Sequence, residues 1–304
     1  MNQNKNKSHI EYISLLEISN VINVDSKFIK NIIKPRNVQS RKGDNGIVLI
    51  VGGSRLYHGA PLLSSIAALI SGTDLVYTAI PKVNLISSRT FSPNLIFLPL
   101  PDDKLTMGSS RKLLSLMPKK VHSAAIGMGL GISKINSLCF LIKKLLEDKT
   151  CLILDASALI PDVLHEITNT KSVVTPHPGE FKRMFGQDAG QSKSEQIDTV
   201  IKKAREYGIV IVLKGYWNIV SDGNLVSVIE RTTPAMTVGG TGDILSGLIS
   251  GFLTKNNSFE SSILGLFFNG LAAYNLYNKY GLHLMASNLL EELPLVMKDF
   301  DVLN

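Results

Sequence analysis

Short apolar runs alternate with longer stretches of helical periodicity along most of this chain. The runs of strand length are residues 47–51, 75–80, 124–126, 152–155, 172–175 and 209–213. The stretches with apolar positions at helical spacing are residues 61–71, 134–147, 180–185, 194–207, 243–253, 259–278 and 286–300. Continuous apolar strands are typical of a parallel sheet that is covered on both faces. The alternation therefore predicts a single α/β domain with a mostly parallel central sheet and helices on both faces.

Polar or glycine-rich segments are expected where these strands end. They are residues 52–59, 127–131, 155–157, 175–180, 214–218 and 239–243. The carboxyl ends of parallel strands meet at one edge of a sheet, where α/β proteins bind their ligands. We therefore expect these segments to form one site. A hairpin is predicted around residues 221–224, because Asp222-Gly223 is typical of a tight turn.

The composition is that of a globular protein. Hydrophobic residues make up 44% of the 304 residues and the mean hydropathy is +0.16, which is enough apolar material for a large core. The two cysteines, Cys139 and Cys151, exclude a disulfide framework or a cysteine-rich zinc site. The start of the chain lacks a signal-peptide pattern, and the apolar stretches are shorter than the roughly 18–20 residues that span a bilayer. We expect no membrane partner and a cytoplasmic location.

The net charge of +7 is concentrated near the start of the chain, where residues 1–42 hold eight lysines and arginines against three acids. Residues 1–19 are interpreted as a basic N-terminal arm and residues 20–304 as the folded domain. Nucleic-acid binding requires a basic footprint, commonly interleaved with aromatic residues, and the chain has no such stripe. We expect no nucleic-acid partner.

The segment of residues 239–243, Gly-Gly-Thr-Gly-Asp, opens an apolar helix. A helix start presents unpaired backbone N–H groups and a partial positive charge, which suit phosphate oxygens. Glycine lets the backbone approach the phosphate closely. Asp243 is the candidate general base, which would take a proton from a substrate hydroxyl while the amides stabilise the transferred phosphate. The alternative is a capped helix in which Asp243 is an ordinary N-terminal acid. A P-loop is excluded, because no Gly-Lys-Ser/Thr follows.

The segment of residues 175–180, Thr-Pro-His-Pro-Gly-Glu, places a histidine and a glutamate in a loop that two prolines make rigid. His177 is a candidate for a hydrogen bond to the substrate, and Glu180 is a candidate ligand of a metal ion or of its water. The alternative is a structural turn before the following helix.

Three further residues lie at predicted strand ends. Lys214 follows the run of residues 209–213 and suggests a nucleotide contact, with a surface lysine as the alternative. Asp155 is either an acid near a metal or a cap of the next segment. Gly129 lies in a Gly-x-Gly-x-Gly turn that is not a dinucleotide-binding fingerprint, because the third glycine is misplaced; it is a tight turn or a ligand contact.

The order of these motifs resembles that of the nucleotide-dependent NAD(P)H-hydrate dehydratases, a branch of the ribokinase-like superfamily. The shared motifs are strand-Gly-Gly-Ser, Gly-Ala-Pro, Gly-x-Gly-x-Gly, Asp-Ala-x-Ala-Leu, Thr-Pro-His-x-Gly-Glu, Leu-Lys-Gly and Gly-Gly-Thr-Gly-Asp. The resemblance covers about residues 20–304 and implies a single-domain, ribokinase-like three-layer sandwich. It also implies an activity: removal of water from the S epimer of hydrated NADH or NADPH, driven by ADP or ATP, with release of phosphate and AMP or ADP.

The resemblance implies roles for individual residues. Asp243 would be catalytic and would contact the hydrate, together with Ala60, Gly129 and His177. The residues that would hold the nucleotide are Lys214, Gly215, Tyr216, Trp217, Asn218, Gly239, Gly240, Thr241 and Gly242. Mg²⁺ would bridge the phosphates, with Glu180 as its candidate protein ligand. The resemblance further implies a homotetramer, and a separate epimerase acting upstream, because residues 1–40 are too few for a fused epimerase domain.

The chain departs from the family pattern at several positions. Ser157 stands where the family often has a second aspartate, residues 233–236 read Thr-Pro-Ala-Met instead of Asn-x-Gly-Met, and Trp217-Asn218 replace a segment in which threonine is commoner. The alternative function is a small-molecule alcohol kinase of the same superfamily, of the thiazole or pyrimidine kinase type. A catalytically silent nucleotide-binding protein is a third interpretation, and the intact Asp243 argues against it.

Overall fold

The computed structural model describes residues 21–304, so the predicted basic arm of residues 1–19 lies outside the described residues. Within that range ten strands form one sheet, in the order β1-β10-β9-β8-β7-β6-β5-β2-β3-β4. The strands are β1 Val21–Ile22, β2 Ile47–Val51, β3 Leu75–Pro81, β4 Ile96–Leu100, β5 Ser123–Ile126, β6 Cys151–Leu154, β7 Val173–Val174, β8 Val210–Leu213, β9 Trp217–Ser221 and β10 Val226–Glu230. Strand β9 is antiparallel to its neighbours β8 and β10, and the other pairings are parallel.

Helices surround this sheet. They are α1 Ser26–Ile32, α2 Gly59–Ile70, α3 Leu85–Phe91, α4 Met107–Leu116, α5 Ile135–Glu147, α6 Leu164–Ile167, α7 Pro178–Phe185, α8 Lys193–Tyr207, α9 Thr241–Phe252, α10 Ser258–Tyr280 and α11 Ala286–Met297. None of the helices in residues 21–304 combines the length and the apolar character that crossing a membrane requires.

The core consists of two clusters of buried side chains, one on each face of the sheet. Strand β2 shows why: Val48 and Ile50 belong to one cluster, whereas Leu49 and Val51 belong to the other, because successive side chains of a strand point to opposite faces. The first cluster is completed by α1, α2, α9, α10 and α11, and the second by α4 to α8. The predicted three-layer sandwich is thereby confirmed.

Most of the predicted strands and helices are present, with bounds that shift by one or a few residues. Strand β4 was missed because its apolar run contains Pro99. Proline is tolerated there because β4 is an edge strand, which pairs only with β3. Helices α1, α3, α4 and α6 were also missed, since each is short and mixes polar with apolar residues.

The expectation that residues 239–243 follow a strand directly is wrong. Strand β10 ends at Glu230, and a 3₁₀ turn, Pro234–Thr237, lies between it and the glycines. The first residues of β9 pair with the last residues of β10, Trp217 with Glu230. The connection that leads to the glycines therefore leaves from the same edge of the sheet as residues 214–218, which follow β8.

Candidate active site

The glycine loop ends where helix α9 begins, at Thr241, with Gly240 as the N-terminal cap residue. Gly240 has φ +100°, a conformation that side chains disfavour. A Cβ atom on Gly240 would lie 2.7 Å from Leu63 Cδ1 and 2.8 Å from Ala286 Cβ. Glycine is therefore required twice at this position, by the backbone angle and by the packing of α2 and α11 against the loop.

Asp243 occupies the first turn of α9, and helix α2 fixes its backbone. The Ser64 hydroxyl donates to the Asp243 carbonyl at 2.5 Å. A Cβ atom on Gly247 would lie 2.1 Å from the Ser64 carbonyl oxygen, which shows how closely the two helices approach. The N-cap residue Gly240 has no side chain to cap α9, and Asp243 is the acid of its first turn, which is the position that the alternative interpretation gives it.

A buried ion pair lies beside this helix start. Lys214 Nζ is 2.8 Å from Asp155 Oδ1, and Ser246 Oγ donates to Asp155 Oδ2 at 2.7 Å. The Asp155 residue is only 1% exposed. A Cβ atom on Gly242 would lie 3.5 Å from Lys214 Nζ, so the ammonium group stands directly against the first turn of α9. Lys214 is therefore not the snorkelling surface lysine of the alternative interpretation, and Asp155 makes no capping bond to the turn that follows it.

This pair keeps both of its charges. Burial favours the neutral acid, but the charge of Lys214 and the hydrogen bonds from Lys214 and Ser246 hold the pKa of Asp155 below its ordinary value. Burial also favours neutral lysine, but the charges of Asp155 and then of Glu180 hold the pKa of Lys214 above its ordinary value. The ammonium group is therefore a fixed positive charge at the helix start.

Asp243 has the opposite electrostatic environment. Burial, followed by the negative charge of Asp155 and with a contribution from Glu180, raises the pKa of Asp243 to about 7, although Lys214 opposes the shift. A carboxylate with a pKa near neutrality is suited to accept a proton from a substrate and to release it again. Among the candidate residues, Asp243 alone combines this pKa with a place at a phosphate-binding helix start.

His177 and Glu180 form a capping box at the start of α7. The His177 N–H donates to Glu180 Oε2 at 2.9 Å, and the Gly179 N–H donates to His177 Nδ1 at 3.0 Å. Because a backbone N–H can only donate, Nδ1 is the acceptor and the ring hydrogen of neutral His177 is on Nε2. The half-exposed ring thus presents an N–H donor. The predicted structural turn is present, and Nε2 lies 3.6 Å from Glu180 Oε1, beyond hydrogen-bond distance.

A cavity of about 310 Å³ opens between the ends of β8 and β10 and the helices α7, α9 and α10. Five of the nine predicted nucleotide-binding residues line it: Lys214, Gly215, Asn218, Thr241 and Gly242. The other wall residues include Leu245, Leu266 and Asn269.

Four predicted nucleotide-binding residues do not line this cavity. Gly239 and Gly240 belong to the backbone that leads into α9, outside the cavity wall. The Tyr216 ring packs edge-on against Trp217, and its hydroxyl bonds Glu230 on the surface. Trp217 also lies 6.0 Å from the Lys193 ammonium. Tyr216 and Trp217 thus support the loop of residues 214–218 from outside.

Ala60 and Gly129 lie close to each other, outside the wall of the cavity. A Cβ atom on Gly129, which has φ +64°, would be 3.3 Å from Ala60 Cβ and 2.7 Å from Tyr57 Cβ. Ala60 precedes Ser64 by one turn of α2, and Ser64 holds Asp243. Of the predicted substrate residues, Ala60 and Gly129 therefore lie near the backbone of Asp243, whereas His177 lines the cavity.

Three residues that the sequence analysis did not single out contribute to the site: Ser64, Ser246 and Asn269. Ser246 and Asn269 each stand within apolar helices, and an isolated polar residue in such a helix is the signal that would have found them. For metal binding, residues 21–304 contain no group of three or more His, Cys, Asp or Glu side chains positioned to hold an ion. Glu180 contributes one carboxylate oxygen, Oε1, that receives no backbone hydrogen bond.

Comparison with known proteins gives a consistent result. A family model described as NAD(P)H-hydrate dehydratase matches residues 48–295. The ADP-dependent (S)-NAD(P)H-hydrate dehydratase of Nitrosopumilus maritimus is 55% identical over 274 residues, which cover 90% of this chain and 96% of the relative. The crystal structure of the ADP/ATP-dependent NAD(P)H-hydrate dehydratase from Bacillus subtilis, co-crystallised with ATP/Mg²⁺, superposes with a TM-score of 0.78 at 25% identity and covers 91% of this chain and 98% of that one.

A hydroxyethylthiazole kinase from Pyrococcus horikoshii superposes with a TM-score of 0.60 at 15% identity, covering 90% of this chain and 96% of the kinase, and shares the fold. The fold and the helix-start site thus define a ribokinase-like enzyme. Within that class the chain belongs to the NAD(P)H-hydrate dehydratase family. The dehydratase interpretation is favoured over the kinase alternative, because the high identity lies with the dehydratases.

Proposed function

We propose that this protein removes water from the S epimer of hydrated NADH or NADPH, using a nucleoside di- or triphosphate, and so restores the reduced dinucleotide. The observation that carries the proposal is the position of Asp243, with a pKa raised to about 7, in the first turn of α9 beside the Lys214 ammonium. It is supported by the 55% identity with a relative that is named for this reaction and for dependence on ADP.

Asp243 takes the proton of the hydroxyl group on the hydrated ring. The oxygen of that hydroxyl group then attacks the terminal phosphorus of the nucleotide. The bond from that phosphorus to the bridging oxygen breaks, which releases AMP from ADP or ADP from ATP. The phosphorylated intermediate loses phosphate, which leaves with the electron pair of the carbon–oxygen bond. Loss of a proton from the neighbouring ring carbon then forms the double bond of the reduced dinucleotide.

The chain stabilises the charge that moves in these steps. The N–H groups of the first turn of α9 and the Lys214 ammonium face the phosphate that is transferred. Asp155 holds Lys214 in place and keeps it charged. Ala60, Gly129 and the Nε2–H of His177 bind the hydrated dinucleotide. Lys214, Gly215, Asn218, Thr241 and Gly242 bind the nucleotide in the cavity, and Tyr216, Trp217, Gly239 and Gly240 shape the backbone around it.

Magnesium fits this site as a companion of the nucleotide. Because the described residues hold no cluster of three metal-binding side chains, most ligands of the ion would be phosphate and water oxygens. Glu180 is the proposed protein contribution: its Oε1, which receives no backbone hydrogen bond, is a hard oxygen donor, and its Oε2 lies 3.8 Å from Lys214 Nζ. When bound, Mg²⁺ neutralises the charge on the phosphates.

The test is incubation of the purified protein with the S epimer of hydrated NADH and with ADP or ATP, following the absorbance of the restored reduced ring. Recovery should require nucleotide and release one phosphate for each dinucleotide repaired. A kinase would instead accumulate a phosphorylated substrate without recovery of the absorbance. Failure with both nucleotides rules out the dehydratase function.

Several properties remain predictions from the resemblance. They are the use of both NADH and NADPH hydrates, assembly as a homotetramer and the presence of a separate epimerase. A location in the cytoplasm is a prediction from the composition, and dependence on ADP is proposed from the name of the relative that is 55% identical. Sedimentation of the purified protein tests the tetramer, and the two hydrated dinucleotides can be compared in the same absorbance assay.

A further inference from the structure

Asn269 is a buried amide in the wall of the nucleotide cavity, and the mechanism above gives it no role. It lies on helix α10 within an otherwise apolar stretch and is 2% exposed. Its neighbour Gly270 lines the same cavity. An amide in such an apolar helix is unfavourable unless both of its ends are hydrogen-bonded.

One end of the amide is satisfied, and this fixes its orientation. Asn269 Nδ2 donates to the Thr241 carbonyl oxygen at 3.2 Å. A carbonyl only accepts, so the NH₂ group must be the end that faces Thr241, and Oδ1 points away from it. Within residues 21–304, Oδ1 has no hydrogen-bond partner. The cavity wall therefore contains a buried acceptor that is oriented but lacks a donor.

The other unpartnered side-chain atoms in the described residues are different in kind. They are the hydroxyl oxygens of Ser88, Ser227 and Ser261, and none of these residues lines the cavity. Ser261 lies on the same helix as Asn269 and is fully buried. Asn269 is thus the one case among them in which the unpartnered atom belongs to a residue of the cavity wall.

The position of Asn269 indicates which part of a ligand it meets. Thr241 marks the helix start, where phosphate binds, whereas Leu245 and Leu266 form an apolar part of the wall that suits a flat ring. Asn269 contacts Thr241 and is three residues beyond Leu266 on α10. It therefore stands between the phosphate end and the apolar end of the cavity, where the nucleoside of a bound nucleotide lies.

We infer that Asn269 is a specificity-determining residue, whose Oδ1 accepts a hydrogen bond from an N–H or O–H donor on the nucleoside of the bound nucleotide. The inference rests on the proposed function, in that it takes this cavity to hold the nucleotide. Two donors have the required chemistry: the amino group of the base and a hydroxyl group of the ribose.

The experiment measures binding by calorimetry, separately from turnover. Wild-type protein is titrated with ADP, with inosine diphosphate, which has an oxygen in place of the amino group, and with 2′-deoxy-ADP and 3′-deoxy-ADP. We expect one of the three analogues to bind about three- to tenfold more weakly than ADP, as for loss of one hydrogen bond. The weakened analogue identifies the donor as the base or the ribose.

The variant Asn269→Leu should bind ADP and that analogue with equal affinity, because it lacks the acceptor. Ser261→Ala, which removes an unpartnered buried atom from the same helix away from the cavity, should keep the wild-type discrimination. Equal binding of all four nucleotides by wild-type protein overturns the inference even if Asn269→Leu does not fold. If folded Asn269→Leu still binds that analogue more weakly than ADP by the wild-type factor, the inference is overturned as well. If the protein binds no nucleotide, the proposed function fails too, whereas nucleotide-dependent turnover without discrimination rejects only the role of Asn269.

Discussion

Lys214 Nζ lies 2.8 Å from Asp155 Oδ1, in a part of the site where the carboxylate is almost completely buried. The two residues come from different strand ends, β8 and β6, which β7 separates in the sheet. Their pairing places one positive charge against Gly242, at the start of α9, while Asp155 itself contributes to the raised pKa of Asp243. One ion pair therefore supplies the positive charge of the phosphate site and helps to raise the pKa of the base.

Replacement of Asp243 with asparagine should remove the base and leave the phosphate site intact. We expect turnover of Asp243→Asn to fall by about a hundred- to ten-thousandfold, with little change in nucleotide affinity because Lys214 and the helix start remain. The measurement is single-turnover repair of hydrated NADH, with nucleotide binding by calorimetry. Asp188→Asn is the matched control, since Asp188 is a surface acid paired with Lys182. Wild-type turnover by Asp243→Asn would exclude Asp243 from the mechanism.

The activity should depend on pH in the way a base of raised pKa requires. Because Asp243 must be ionised to accept a proton, kcat/KM should fall about tenfold for each pH unit below about 7. Glu180 contributes to the raised pKa of Asp243, so Glu180→Gln should move this limb of the profile to lower pH. A glutamine can still accept the His177 N–H, which preserves the capping box. An acid limb that stays in place in Glu180→Gln would contradict this electrostatic assignment.

Asp243 should also destabilise the folded protein at high pH. In the unfolded chain this carboxyl ionises near its ordinary value of 3.8, whereas in the folded protein it ionises near 7. The folded state therefore holds a proton between these values that the unfolded state has lost, and the stability contributed by this group decreases as the pH rises from about 4 to 7. We expect Asp243→Asn to raise the free energy of unfolding by about 1–2 kcal/mol at pH 8 and to have no such effect at pH 3. Denaturant unfolding at the two pH values measures the difference, and an equal gain at both would contradict the assignment.

Breaking the buried ion pair should cost more than breaking an exposed one. Asp155→Asn removes the nearest partner of the buried Lys214 ammonium and leaves it the more distant Glu180, and we expect the free energy of unfolding to drop by about 3 kcal/mol. The exposed pair Lys182–Asp188 is the control, and Asp188→Asn should change stability by less than about 0.5 kcal/mol. In the double variant Asp155→Asn/Lys214→Met the loss should be smaller than in Asp155→Asn alone. If the stability change of the double variant equals the sum of the changes measured for Asp155→Asn and for Lys214→Met alone, the two residues are not coupled.

Enlarging Ala60 should affect the dinucleotide and not the nucleotide. Ala60→Leu fills the space next to Gly129, so we expect KM for the hydrated dinucleotide to rise about tenfold, since a leucine side chain adds three carbons at a contact surface. The affinity for ADP should remain at the wild-type value, because the nucleotide cavity does not include Ala60. An equal loss of ADP affinity would place Ala60 in the nucleotide site instead.

The mostly parallel character of the sheet could be predicted from the sequence because the buried strands are continuous apolar runs, and β2 and β8 are clear examples. Strand β4 could not, since Pro99 interrupts its pattern and is tolerated only because of the edge position that the tertiary fold creates. The glycine loop could be recognised from its composition. The turn Pro234–Thr237, which separates it from β10, has no hydrophobic period to reveal it.

In the candidate site, residue types predicted which side chains take part but not how they pair. The sequence marked Asp155 and Lys214 as separate strand-end residues, and only the order of the strands shows that they meet. Asn269 and Ser246 were missed because each has apolar neighbours on its helix, and polar residues in such stretches more often face other helices than a ligand. Tyr216 and Trp217 were expected in the nucleotide site, but neither lines the cavity: the Tyr216 hydroxyl bonds Glu230, and the Tyr216 ring packs edge-on against Trp217.

The close approach of Ala286 to Gly240 affects when, during synthesis, the protein becomes able to catalyse its reaction. The loop of residues 239–243 packs against two side chains at Gly240. Leu63 is synthesised long before the loop, whereas Ala286 of α11 is synthesised long after it. A nascent chain that already contains Asp243 still lacks the contact with Ala286. Catalytic competence should therefore be acquired late, when residues 286–297 dock, and a chain truncated before Ala286 should retain much of its sheet but lose its activity.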